Sequence, residues 1–112
     1  MHGEWHAVIH PDIPRIQNTG FLVDGQVFHP GDALTDPGVE VPTYLLPAHA
    51  PWSKLGELVD HLRTVRAGRA LGVHDALLSE VGQAGVAGLL GERGPGTSVP
   101  YSRLSVGETV EV

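Results

Sequence analysis

The amino-acid sequence predicts an α/β domain in which a mixed β-sheet carries two main helices. Three observations carry this. Asp24-Gly25 separates two short apolar segments, the composition of a two-residue hairpin turn. Leu55, Leu58, Val59, Leu62 and Val65 recur at the spacing of one helical face. Short β-rich runs and helical runs follow the order β, ββ, β, α, β, α, which suits a layered sheet. With 15 glycines and nine prolines in 112 residues, turns are frequent and elements short. The length fits one domain, 1–112.

Taken in order, Trp5 to Ile9 reads as a short strand. It must end before His10-Pro11-Asp12-Ile13-Pro14, because prolines cannot donate to a ladder. Gly20 to Val23 and Gln26 to His29 form the hairpin. Asp36-Pro37-Gly38 is a turn. Val41 to Leu46 is a buried strand stopped by Pro47. Ser53 is placed to cap a helix running to about Val65, whose closing Arg63 and Arg66 suit the helix dipole. Arg69 to Val73 is a further strand. A second helix spans about Ala76 to Leu90, with Leu78, Val81 and Leu89 on its apolar face. Gly91 to Pro100 is a loop, and Tyr101 to Leu104 and Glu108 to Val112 read as edge strands.

Composition excludes several classes of function. A net charge of −6 lacks the basic footprint of a nucleic-acid module. No apolar run is long enough to cross a bilayer, so no membrane partner is expected. No basic segment followed by an apolar one marks a signal peptide. Cysteine is absent, which fits a cytoplasmic location and rules out thiolate ligands. There is no phosphate-binding Gly-x-x-x-x-Gly-Lys, no Gly-x-Gly-x-x-Gly after a strand and no Gly-x-Ser-x-Gly elbow. Gly91-Glu92-Arg93-Gly94-Pro95-Gly96 is glycine-rich but reads as a loop. Trp5 and Trp52 read as core or interface anchors, Trp52 at a subunit contact.

What chemistry remains lies in seven histidines: His2, His6, His10, His29, His49, His61 and His74. His2 reads as a disordered terminal residue, His61 as solvated and His10 as a turn cap. His6, Asp32 and His74 fall at strand exits, where side chains from several strands of an α/β sheet converge. A carboxylate with neutral imidazoles suits zinc, manganese or iron. Taken singly, each of the three reads as structural, and Asp32 after Pro30-Gly31 is ordinary turn chemistry.

Four segments act together: Gly3-Glu4-Trp5-His6-Ala7, Asn18-Thr19-Gly20-Phe21-Leu22-Val23, His29-Pro30-Gly31-Asp32-Ala33 and Gly72-Val73-His74-Asp75. In this order they resemble the C-terminal half of the metallo-β-lactamase-fold hydrolases, in particular the lactonase-like and phospholipase-like branch. The resemblance takes in nearly the whole chain. It implies one half of a four-layer αββα sandwich, with His6 as the third-motif histidine, Asp32 as the bridging aspartate and His74 as the last histidine. The His-x-His-x-Asp-His motif that members carry on the other half is missing here. His49, within Leu45-Leu46-Pro47-Ala48-His49-Ala50-Pro51-Trp52, looks like the remnant of an equivalent motif and is a possible additional ligand.

A half-fold leaves exposed the sheet face that its other half would cover, and a large apolar face drives association. The expected partner is a second copy, in a homodimer or higher even oligomer that replaces the family's pseudo-two-fold with a true one. Three functions follow. The first is an oligomeric half-fold or binding scaffold without the usual hydrolase activity and with no cofactor. The second is a zinc- or manganese-dependent hydrolase of esters, lactones or phosphodiesters, its sites built across a homodimer from His6, Asp32 and His74. The third is the C-terminal subunit of a split hydrolase completed by a separately encoded N-terminal half.

Overall fold

Alternation and turn chemistry set the first half of the chain. The computed structural model describes residues 2–6, 9–91, 94–97, 99–103 and 107–110, the first three as backbone. The strands β1 (His2–Trp5), β2 (Gln17–Val23), β3 (Val27–His29), β4 (Val41–Pro47), β5 (Ala67–Val73) and β6 (Tyr101–Arg103) lie side by side in chain order. Two helices, α1 (Leu55–Thr64) and α2 (Glu80–Leu90), follow β4 and β5. β1, β2 and β3 are antiparallel neighbours, whereas β3 to β6 run parallel. Asp24 and Gly25 take φ values of 52° and 67°, the left-handed pair that a type I′ turn requires.

Register divides the sheet into two faces. Leu22, Phe28, Tyr44, Ala70 and Tyr101 are successive cross-strand partners and so form one row across five strands. Consecutive parallel strands joined by right-handed crossovers place both helices on a single side. That side is this row: Phe28, Tyr44, Leu46 and Ala70 share the main core with Leu58 and Leu62 of α1 and Leu90 of α2. The Phe28 and Tyr44 rings stack with centroids 5.8 Å apart. Fully burying a leucine such as Leu62 contributes about 1.5–3 kcal/mol.

The opposite face carries no helix among the described residues. Over β4 and β5 it is closed nonetheless: Thr43 and Leu71 are buried, and Arg69 Nε donates to Thr43 Oγ1 at 3.1 Å. Over β1 and β2 it is open. Gln17, Thr19, Phe21 and Val23 alternate with more deeply buried neighbours and point outward. Trp5, Phe21 and Val23 are 54, 51 and 56 % exposed. Trp5 is therefore no core residue.

Several elements differ from the sequence expectations. The first strand is His2–Trp5, earlier than Trp5–Ile9, because its ladder partner is Gln17–Gly20; Ala7 and Val8 lie outside the described residues. His2 is thus the first strand residue, not a disordered terminus. Ser53 does not cap α1: its N–H closes a turn onto the Ala50 carbonyl at 2.9 Å, and Lys54 stands at the cap position with no side-chain bond. α2 starts only at Glu80, capped by Ser79 Oγ, which accepts from the Gly82 N–H at 3.1 Å. Its inward face is Val86 and Leu90, one turn apart, whereas Val81 is 83 % exposed. Residues 108–110 are not strand, and Leu104, Glu111 and Val112 lie outside the described residues. Among the described residues no helix is long and apolar enough to cross a membrane.

Candidate functional site

β3, β4 and β5 run parallel, so the segments leaving their C-terminal ends meet at one edge. Asp32 follows β3, His49 to Trp52 follow β4, and His74 follows β5 directly. Ligands in open α/β sheets gather at such an edge.

Asp32 is set by Asn18, a buried side chain of β2. Asn18 Nδ2 donates to the Pro30 carbonyl at 2.7 Å, and Asn18 Oδ1 accepts from the Asp32 N–H at 2.9 Å. Gly31, between them, has φ +79°, and a Cβ there would run into the Asn18 amide. His29 closes the same turn, its Nδ1 accepting from the Gly31 N–H at 3.0 Å. The Pro30-Gly31-Asp32 turn is thus pinned by the Asn18 amide and the His29 ring.

His74 meets Asp32. Its Nε2 lies 3.3 Å from Asp32 Oδ1, with the two side chains 37 and 50 % exposed. Its Nδ1 lies 2.7 Å from the His49 carbonyl oxygen. A carbonyl only accepts, so Nδ1 carries the hydrogen. Nε2 then faces the carboxylate either with a second proton or with a bare lone pair. A cation between the two, whether the proton of an imidazolium or a metal ion, would satisfy both. A histidine anchored through Nδ1–H to a carbonyl is also the arrangement that orients metal-ligating imidazoles.

Trp52 joins His6 to this pair. Its indole lies edge-on to the His6 ring with centroids 4.7 Å apart, and its centroid is 6.3 Å from that of His74. His6 is 8 % exposed, and its backbone is held by the Ile16 carbonyl and the Arg15 guanidinium, each at 2.8 Å. A cavity of about 40 Å³, room for a few water molecules, lies beside Asp32 and is walled by Leu34, Pro47, Ala50, Trp52 and Lys54.

The residues singled out by sequence therefore gather at one edge in different roles. Asp32 and His74 pair directly. His6 packs on Trp52, and His49 contributes its main-chain carbonyl. Among the described residues no three His, Asp or Glu side chains group closely enough to hold a metal ion. A stable open zinc site takes three protein ligands. The described residues thus offer two donors of suitable chemistry and fall short of a complete site.

Two polar residues take roles that the sequence reading did not give them. Asn18 shows its role only once the register of β2 is known. His61 is half-buried rather than solvated, its Nε2 2.7 Å from Tyr44 Oη. Tyr44 Oη also lies 2.8 Å from the Thr35 carbonyl, which only accepts, so the phenol donates there and His61 Nε2–H donates to the phenol. Burial pushes the His61 pKa down, against the pull of Asp36. The signal was present: Leu58, His61, Leu62 and Val65 fall at i, i+3, i+4 and i+7. His10 does cap a turn, its Nδ1 accepting from the Asp12 N–H at 3.0 Å.

Among known proteins, the chain is similar to Protein Rv0786c of Mycobacterium tuberculosis (strain ATCC 25618 / H37Rv), with 46 % identity over 82 residues. The match takes in 69 % of this chain and 39 % of that protein, so the chain spans well under half of the relative's length. No family model matches the chain. No solved structure matches it.

Proposed function

We propose that this protein is an assembling scaffold: a half-fold of the metallo-β-lactamase type whose open sheet face takes a second copy of the chain. The observation that carries the reading is the one-sided sheet. Both helices pack on the Phe28–Tyr44–Ala70 row, while Trp5, Phe21 and Val23 stand about half exposed on the other face. A two-fold pairing of that face covers the three side chains twice over and closes the assembly. Light scattering at micromolar concentration tests this. A dimer mass, reduced to a monomer mass by Phe21→Glu, is expected; a monodisperse monomer for the unaltered chain refutes it and turns attention to a separately encoded N-terminal half.

A second reading, a metal-dependent hydrolase of esters, lactones or phosphodiesters, is favoured by the anchored His74. Asp32 and His74 supply two donors, and the remaining donors come from across the interface. Bound zinc or manganese would supply an activated water. Elemental analysis of tag-free protein decides it. A transition metal near one equivalent per chain, lost in Asp32→Asn, supports the reading; less than roughly a tenth of an equivalent, with no uptake on adding zinc or manganese, removes it.

A further inference from the structure

His74 is held in an unusual backbone conformation. Its φ is +60°, and among the described residues the other non-glycine with positive φ is Asp24, in the hairpin turn. Side chains avoid this region unless the surroundings enforce it, and such residues concentrate at functional sites. On the N-terminal side the enforcement is the sheet: Val73 pairs with Pro47, and its carbonyl accepts from the Ala48 N–H at 2.8 Å. On the C-terminal side the next residue is Asp75. Its carboxylate takes Arg103 Nε at 2.6 Å and Nη2 at 3.5 Å, with the two side chains 12 and 24 % exposed. Arg103 belongs to β6, in register with Gly72 two residues before His74. The Asp75 carbonyl also closes a turn with the Leu78 N–H at 3.0 Å.

We infer that Arg103 and Asp75 are positioning residues for His74: the β6 guanidinium clamps the carboxylate that follows His74, and this keeps the imidazole between the His49 carbonyl and Asp32. The sheet fixes the chain before His74 and the clamp fixes it after, so the backbone between has one conformation. Without the clamp, His74 relaxes to ordinary negative φ and its ring leaves the Asp32 edge. Tyr101 lies beside the pair, in register with Ala70. Its hydroxyl lies against Gly72, and burial, with Asp75 nearby, pushes its pKa up to about 12, so it stays a neutral phenol. The inference rests on reading Asp32 and His74 as the site and is independent of assembly.

The test reads the ring itself. In this chain with labelled histidines, the His74 Nδ1–H proton, assigned with His74→Gln, is expected to exchange with water more slowly than that of a free imidazole. In Arg103→Ala its exchange rises roughly tenfold or more while the His61 ring signals stay native. Arg103→Lys, which keeps the charge and loses the fork, gives a smaller rise. A folded Arg103→Ala with unchanged His74 exchange overturns the inference. Should that variant unfold, Arg103→Lys and Asp75→Asn decide, and wild-type exchange in both overturns it. Zinc titration of the same samples separates the readings. A wild type indifferent to zinc whose His74 proton still responds to Arg103 keeps the clamp and removes the metal.

Discussion

The two faces of this sheet are built to different standards. The helix-covered face is a continuous apolar row sealed by leucines of α1 and α2. The other is closed over β4 and β5 by Leu71 and an Arg69–Thr43 contact, then left open over β1 and β2. A large apolar residue on the first face is held by its neighbours within the chain. Phe21 and Val23 on the second are about half exposed, so within one chain they contribute little. The contrast separates what makes this chain fold from the face that the proposed assembly would use. It also locates the candidate site, which lies at the strand ends between the two.

The sharpest way to break the contrast is to truncate each face in turn. Leu62→Ala, at a fully buried position, should cost about 2–5 kcal/mol in urea denaturation. Phe21→Ala should cost about 1 kcal/mol or less when measured in dilute monomer. If the proposed assembly forms, the Phe21→Ala loss should grow at micromolar concentration, because association adds stability by mass action. Equal losses at the two positions in dilute protein would remove the distinction.

Asn18→Ala comes next. It leaves the Pro30 carbonyl and the Asp32 N–H without their partner, at about 1–3 kcal/mol, and should loosen Asp32 relative to His74 in NMR spectra. Tyr44→Phe should cost about 1 kcal/mol, since it deprives the Thr35 carbonyl and His61 of the hydroxyl between them. His61 adds a pH dependence. Its folded pKa lies below the ordinary 6.5, so the unfolded chain binds its proton first as pH falls. The stabilisation is therefore present above about 6.5 and lost as pH drops through the lowered value. The melting temperature should fall on acidification below pH 6.5, and His61→Gln should flatten that slope. The smallest effect belongs to Thr35→Val. Thr35 Oγ1 is buried and makes no hydrogen bond among the described residues, so its loss should be near neutral or stabilising.

The sequence was legible where local rules dominate. The Asp24-Gly25 turn, the β4 and β5 strands and the apolar stripe of α1 follow from turn chemistry and periodicity. It was less legible where partners lie far along the chain. β1 begins earlier than its composition suggests because Gln17–Gly20 sets its register. In α2, three glycines blur the apolar face, and the packing of Leu90 decides which side turns inward. At the site, Asp32 and His74 were found as strand-exit residues, and they meet. The support was hidden: the His49 contribution is a carbonyl, which every residue has, and Asn18 and Arg103 act through pairings that only the assembled sheet reveals.

Oxidative footprinting of Trp5 and Phe21 by hydroxyl radicals, across a range of protein concentration, tests the central claim most directly. The account predicts labelling typical of half-exposed side chains in dilute protein and strong protection of both residues at micromolar concentration, with exposed Val81 on α2 labelled equally throughout. Labelling of Trp5 and Phe21 that stays constant over the whole range would contradict it.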